Sequence, residues 1–309
     1  MRLGVIDIGS NTVHVAVLDA VRGARPVPQN SQSMDIRLMR FLDDDGSISP
    51  EGVETLKNAV KEAAKVIKKE GAESTLAIAT SAIREAANGP EVLDELSKLA
   101  GVPIEVLSGA DEARLTFLAA RRWYGWGVGR LLVLDIGGGS LEIAAGTDEL
   151  PDVAISIPLG AGRMTKKFLW ENDPPTANEV ADLKEYVRHK LGGALGNGRL
   201  LKGDHVVGTS KTFRSLARLA GMPRHPFGAG ERYTMSLANL EDWVPRLCKL
   251  SSEDRVALPG IGPRRSRQIA AGAIVAMETM RALKIDQIEV CPWALREGVL
   301  LRHIESLGS

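Results

Sequence analysis

The sequence repeats itself once, at a spacing that no short-repeat architecture uses. Ile6-Asp7-Ile8-Gly9-Ser10-Asn11-Thr12-Val13 aligns with Leu134-Asp135-Ile136-Gly137-Gly138-Gly139-Ser140-Leu141, 128 residues later. Each copy is an apolar strand ending in Asp, an Ile-Gly step, a small polar turn and a second apolar strand. A solenoid repeats every 20–50 residues or so, so this period predicts two related α/β halves. Each half offers a phosphate-sized turn to a shared cleft. The 309 residues agree, being enough for about two domains. We place the crossing at the Gly-rich stretch Tyr124-Gly125-Trp126-Gly127-Val128-Gly129, which gives domains 1–124 and 125–309.

The remaining signals fill in these halves. Leu3–Ile8 and Val13–Asp19 flank the first turn as strands. A solvated turn at 43–46 precedes a helix capped by Ser49, with Pro50 at its first position, running to about Lys69. Leu76–Ala79 reads as a buried strand, Pro90 to Ala100 as a helix, Ile104–Leu107 as a strand, and 108 to about 122 as a helix. Leu131–Asp135 and Leu141–Ala145 flank the second turn. The most apolar helical stretch, Ile269 to Leu283, has 15 residues and carries Glu278 and Arg281. A membrane span needs roughly 20, so it is expected to be a core helix. Met1-Arg2 runs directly into a strand pattern rather than a cleavable leader, and the expected location is the cytoplasm.

Composition excludes several classes. With 39 basic and 39 acidic residues the net charge is zero, and 44% of residues are hydrophobic. That is a folded globular balance, neither a disordered chain nor a polycation. Cys248 and Cys291 are too few for a disulfide framework or a four-cysteine zinc site, and are expected to be free thiols. Five scattered histidines show no metal-ligand spacing.

Chemistry is best sought at the turns. Small residues let backbone N–H groups close on an anion, which makes Gly9, Ser10, Asn11 and Thr12, and Gly137, Gly138, Gly139 and Ser140, candidate phosphate ligands. An Asp at the end of the preceding strand can hold a hard cation beside that anion. A plain hairpin would explain either turn alone but explains the recurrence poorly. Neither turn is a dinucleotide fingerprint, because Glu142 occupies the third Gly position. Glu142 lies on the hairpin partner of the strand that Asp135 ends, so both carboxylates can reach one metal.

Three further segments stand out. Ser108 with Asp111 reads as a capping box, which leaves Glu112 unassigned at a helix start, where it can serve as a general base. Arg84, among small residues near a strand end, suits phosphate or a surface ion pair with Glu85 or Glu51. Residues 199–232 hold seven Lys/Arg against Asp204 and Glu231. Within that stretch, Gly208-Thr209-Ser210-Lys211 follows a strand and opens a helix, another anion-binding layout. Pro259-Gly260-Ile261-Gly262-Pro263 followed by Arg264, Arg265 and Arg267 is similar to the hairpin of a DNA-binding helix-hairpin-helix. The apolar helix after it and the neutral chain make DNA an unfavoured partner.

Taken in order, five segments resemble the exopolyphosphatase / guanosine pentaphosphate phosphohydrolase family, within the sugar kinase–Hsp70–actin superfamily. They are Asp7-Ile8-Gly9-Ser10-Asn11, Ala79–Ala86, Leu107–Leu115, Asp135–Glu142, and Leu295-Arg296-Glu297-Gly298-Val299-Leu300. The resemblance implies two actin-like (ribonuclease H-like) domains with the active site in the cleft between them, the last helix packing back on the first domain. It implies Glu112 as catalytic base, Arg84 as a phosphate ligand, and Asp135 and Glu142, with Asp7, serving Mg²⁺ or Mn²⁺. Thr209, Ser210 and Lys211 join the two turns as phosphate-binding residues, Lys211 standing where many members have Gly. The implied substrate is inorganic polyphosphate, with guanosine pentaphosphate (pppGpp) as the alternative, and the implied assembly is a homodimer. A non-catalytic polyphosphate or alarmone sensor and a sugar or acetate kinase are further alternatives. With no room for the helical extension of longer members, shorter polyphosphate chains are the expected preference.

Overall fold

β1 (Arg2–Ile8) is a near-continuous apolar run, with Leu3, Val5 and Ile6 fully buried. A strand covered on both faces reads this way, whereas a half-exposed one alternates, so β1 must be central. A computed structural model bears this out; it describes residues 1–21, 23–43, 45–196, 201–224 and 232–306. Asp44 of the solvated turn, and Arg199, His225 and Glu231 of the basic stretch, lie outside the described residues.

Two units make up the chain: Met1–Glu112 with Val299–Ser309, and Ala113–Gly298. In the first, β1 pairs antiparallel with β2 (Thr12–Asp19), and β2 with β3 (Asn30–Asp35). α1 (Pro50–Lys69) then leads to β4 (Ser74–Ala79), parallel to β1. α2 (Ser81–Arg84) and α3 (Gly89–Ala100) lead to β5 (Ile104–Val106), parallel to β4. The sheet order is β3-β2-β1-β4-β5. α1 begins where its caps dictate: Ser49 Oγ accepts from Gly52 N at 3.3 Å, and Pro50 takes the first helical position.

α4 (Gly109–Tyr124) leads into the second unit, which opens with the antiparallel β6 (Leu131–Ile136), β7 (Leu141–Gly146) and β8 (Val153–Ile157). There follow α5 (Ala161–Phe168), α6 (Ala177–Leu195), β9 (His205–Gly208), α7 (Ser210–Ala220), β10 (Met222–Arg224), β11 (Arg232–Ser236) and α8 (Leu237–Lys249). α9 (Ser252–Arg255), α10 (Ile269–Leu283), β12 (Gln287–Val290) and α11 (Leu295–Ser306) complete it, the chain rejoining the first unit within α11. The sheet order is β10-β11-β12-β9-β6-β7-β8, with β6, β9 and β12 parallel. Without the added β10 and β11 it becomes β8-β7-β6-β9-β12, the topology of the first unit. Each unit therefore has the 3-2-1-4-5 order of an actin-like domain, as the internal repeat requires.

α10 is the core of the second unit. Ile269 through Met280 are all buried, packed among α5, α6, α7 and α8. Among the described residues no helix is long and apolar enough to cross a membrane. The Gly-rich stretch after α4 is fixed by the wholly buried Arg121, whose guanidinium donates to the carbonyls of Gly125, Gly129 and Gly146 at 3.1, 3.0 and 2.8 Å. Cys248 and Cys291 are both free thiols, and burial pushes each above its ordinary pKa.

A second polar clasp fixes the loop between α9 and α10. Buried Arg255 donates through Nε to Leu247 O at 2.9 Å and through Nη1 to Ser266 O at 3.1 Å. Asp173 accepts from Ser252 N at 2.9 Å, from Ser252 Oγ at 2.5 Å and from Arg267 Nη1 at 3.3 Å. The Arg267 guanidinium also lies 4.8 Å from the Trp170 ring centroid and donates to Trp170 O at 2.6 Å. Burial alone would raise the Asp173 pKa. The Ser252 hydrogen bonds and the charges of Arg255 and Arg267 outweigh it and hold the carboxyl below its ordinary value. A depressed carboxyl stabilises the fold above its unfolded pKa of about 3.9 and loses that contribution as pH falls through the folded pKa. Asp173→Asn should therefore cost about 1–3 kcal/mol at pH 7, measured by urea denaturation. The gap to wild type should close below about pH 4; a gap independent of pH would show that charge is not the cause.

Candidate active site

The two turns of the repeat close alike. Gly9 N donates to Thr12 O at 3.0 Å and Gly137 N to Ser140 O at 2.9 Å. In the first turn Ser10 O accepts from Leu38 N at 2.7 Å, and Asn11 O accepts from both Ile36 N and Arg37 N at 3.0 Å. In the second, Gly137 O accepts from Ala161 N and Gly138 O from Arg163 N, both at 2.9 Å, and Gly139 O from Arg163 Nε at 2.7 Å. In a planar trans peptide the C=O and the following N–H point in opposite directions. The amides of Asn11 and Thr12 are thus directed away from the 36–38 segment, and those of Gly138, Gly139 and Ser140 away from α5. Such an array of N–H groups facing one way is what an anion requires.

Asp135 and Glu142 are directly opposed in the β6–β7 register, so their side chains share one face. The Thr209 hydroxyl donates to Asp135 Oδ2, and the Ser156 hydroxyl donates to Glu142 Oε1 at 2.9 Å. Burial raises the Asp135 pKa, against the Thr209 hydrogen bond and the charges of Arg214 and Arg265. In the first turn the register instead puts His14 opposite Asp7, so the paired carboxylates belong to the second turn. Among the described residues no group of three or more His, Cys, Asp or Glu is placed to hold a metal. Two carboxylates fit Mg²⁺, which keeps several waters and commonly takes its other ligands from phosphate oxygens; they do not make a complete protein cage.

In the first unit Ser108 caps α4 as its spacing predicts, its Oγ accepting from Asp111 N at 3.1 Å and donating to Asp111 Oδ2 at 2.6 Å. Glu112 is left to a different partner. Its buried carboxylate accepts from Arg84 Nη1 at 2.5 Å, and that nitrogen also donates to Leu107 O. Arg84 Nη2 lies 3.6 Å from Glu85. The structure thus brings Arg84 and Glu112 together across 28 positions, a pairing that spacing does not reveal. Ser10 Oγ meets Ser81 Oγ at 3.4 Å, both buried.

A third turn, at the end of β9, carries strain. Ser210 opens α7 with φ of +68°, and its hydroxyl oxygen is buried without a hydrogen-bond partner. Left-handed backbone at a non-glycine residue costs on the order of 1–3 kcal/mol, and an unsatisfied buried hydroxyl adds to that. Both features mark a position shaped by something other than stability. Thr209 is fully buried and spends its hydroxyl on Asp135. Lys211 follows on the first turn of α7, with Arg214 and Arg218 on the same face; together with Arg264 and Arg265 these line one cavity of about 430 Å³. Burial pushes the Lys211 pKa down, as do the charges of Arg265, Arg214, Arg296 and Arg264. From sequence, Arg264 and Arg265 read only as part of a DNA-binding hairpin, and Arg214 and Arg218 carry no role of their own, although 211, 214 and 218 follow helical spacing.

The second turn depends on Gly160. A Cβ there would stand 2.3–2.4 Å from backbone atoms of Gly138 and Gly139. Gly160→Ala should cost roughly 1–3 kcal/mol from overpacking, read by urea denaturation. Amide exchange at 137–141 should speed up; unchanged exchange would show that the turn does not rest on Gly160.

Comparison with known proteins gives one answer. Exopolyphosphatase 1 of Mycobacterium leprae is 46% identical over 310 residues, covering 99% of this chain and 90% of that protein. Exopolyphosphatase 2 of Mycobacterium tuberculosis is 29% identical over 313 residues, 97% and 98% of the two chains. The solved Ppx/GppA family member of Aquifex aeolicus superposes with a TM-score of 0.79 at 27% identity, covering 100% and 99%. An exopolyphosphatase structure from Cytophaga hutchinsonii, at a TM-score of 0.87, 23% identity and coverage of 99% and 98%, agrees in fold. The model of the Ppx/GppA phosphatase family matches residues 20–307, and the chain belongs to that family.

Proposed function

We propose that this protein is a Mg²⁺-dependent exopolyphosphatase that releases terminal orthophosphate from inorganic polyphosphate. The observation that carries the reading is the second turn, whose Gly138, Gly139 and Ser140 amides face away from α5 next to the opposed Asp135 and Glu142. Phosphoanhydride hydrolysis asks for little covalent chemistry from a protein. It asks for positioned donors on the phosphate oxygens, a divalent cation and a base for water. The names of the two mycobacterial relatives, both exopolyphosphatases, support the same substrate.

In this mechanism the amides of the two turns, with Arg84 and Ser210, hold terminal phosphate oxygens. The orphaned Ser210 hydroxyl has a donor to give, and a phosphate oxygen satisfies it. Glu112, whose carboxylate accepts from the Arg84 guanidinium, takes one proton from the attacking water. The water oxygen bonds to the terminal phosphorus as the bridging P–O bond breaks, leaving orthophosphate and a chain one unit shorter. Asp135 and Glu142 would hold Mg²⁺, which when bound offsets charge on the phosphoryl oxygens; Mn²⁺ has similar ligand preferences. Thr209 and Ser156 fix the orientation of the two carboxylates.

Glu112→Gln should lower phosphate release from polyphosphate by about 10²–10⁴-fold, assayed with purified full chain in Mg²⁺. Release near the wild-type rate would end the assignment of Glu112 as base. Chelating divalent metal should abolish release and added Mg²⁺ should restore it; turnover indifferent to chelation would remove the metal. The same assay with guanosine pentaphosphate tests the substrate. Faster release there would replace polyphosphate while leaving the residue roles in place.

A further inference from the structure

We propose that Arg163 is a positioning residue for phosphate release. From behind the second turn, its guanidinium holds and polarises the Gly139–Ser140 peptide, so that the Ser140 amide donates more strongly to the phosphate being released. This rests on the reading of the chain as a polyphosphate hydrolase and gives a role to a charge that the mechanism above does not use.

Arg163 stands where its helix disfavours it. α5 starts at Ala161, so Arg163 is the third residue of a first turn that holds no acidic side chain. The N-terminal end of a helix carries partial positive charge, and a cation there is unfavourable. The N-cap, Gly160, has no side chain to accept from the open amides. Carbonyls of the second turn take that part: Ala161 N donates to Gly137 O and Arg163 N to Gly138 O, both at 2.9 Å. The guanidinium adds the third bond, Nε to Gly139 O at 2.7 Å. Arg163 thus meets two consecutive carbonyls, one with its backbone and one with its side chain.

The three bonds differ in kind. Two come from neutral amides, whereas the one to Gly139 O comes from a cation, and a hydrogen bond from an ionised donor is roughly twice as strong. The peptide it meets is the one whose N–H belongs to Ser140. Drawing electron density onto a carbonyl oxygen leaves the N–H of the same peptide more positive, and bonds linked through one peptide strengthen each other. Ser140 is buried and its own carbonyl accepts from Gly137 N at 2.9 Å, so the amide is held from both sides.

The first turn shows the alternative. There the equivalent carbonyl, Asn11 O, accepts from the backbone amides of Ile36 and Arg37 at 3.0 Å. Backbone donors can therefore hold such a turn, and its shape does not call for an arginine. The charge appears in the turn that joins the strands of Asp135 and Glu142, where negative charge on a reacting phosphoryl group has to be stabilised.

Steady-state phosphate release from linear polyphosphate by the full chain in Mg²⁺ tests the proposal with three variants. Gln places a neutral N–H donor at the reach of the arginine Nε, Lys keeps the charge, and Met keeps only the aliphatic stem. R163M should lower kcat by about tenfold, short of the roughly 10²–10³-fold lost when a donor is removed outright, because the Ser140 amide itself remains. KM should change by less than about threefold, the mark of an interaction made stronger in the transition state. R163Q should match wild-type stability in urea yet recover only part of kcat, and R163K should recover more of kcat than R163Q. Without substrate, the Ser140 amide nitrogen resonance follows the polarisation of its peptide and should move progressively upfield from wild type through Lys and Gln to Met. Wild-type kcat in R163M, or a loss confined to KM, would overturn the role. So would wild-type kcat in R163Q, which would leave a hydrogen bond that serves structure only. Failure of the hydrolase reading looks different: wild-type protein would release no phosphate from polyphosphate, while the Ser140 resonance still followed the charge at position 163.

Discussion

The carbonyls of Gly137, Gly138 and Gly139 are all drawn towards α5, two by its backbone amides and one by the Arg163 side chain. That arrangement decides where the opposite edge of the turn faces, and the rest of the second unit is organised around it. α5 can approach only because Gly160 has no Cβ. α5 in turn packs on α10, whose unbroken burial fixes the layer behind the sheet. The β6–β7 register that brings Asp135 opposite Glu142 is set by the same hairpin. A one-residue slip would send the two carboxylates to opposite faces, so turn closure and carboxylate pairing are one constraint.

The repeat made much of this legible. A period of 128 residues implied two related halves, and the two sheets share a five-stranded topology down to the closure of their turns. Local chemistry was equally readable: Ser49, Pro50, Ser108 and Asp111 do what their spacing says. Long-range pairing was not. Arg84 meets its chain neighbour Glu85, as the sequence allows, but only the fold brings Glu112 to it as well, since long-range ion pairs carry no sequence periodicity. Thr209 reads as a phosphate ligand by position, yet its hydroxyl is aimed at Asp135. The 258–263 segment is similar to a protruding hairpin because Pro and Gly set local turns; whether such a turn stands out or folds back depends on α7, which lies 40 residues earlier.

Sites where local rules fail are also where the structure gives up stability. Ser210 combines left-handed backbone with an unsatisfied hydroxyl, although Gly at that position would relieve the first and remove the second. Asp135 is kept in surroundings that disfavour its charge. Neither feature helps the chain fold, and a sequence consistent at every level would avoid both. They cluster at the ends of β6 and β9, where parallel strands of an α/β sheet present ligands.

Net charge of zero conceals how the charges are deployed. Acidic residues are used one step behind the basic ones: Asp173 holds Arg267 and lies near Arg255, and Glu297 caps α11 while holding Arg296 at 2.7 Å. These acids offset the total, but they do not line the cavity, so the field inside it stays positive. A chain that reached the same local field by simple excess of lysine and arginine would attract every polyanion in solution. Overall neutrality therefore coexists with a basic cavity, because Asp173 and Glu297 pair with Arg267 and Arg296 and not with the residues that line it.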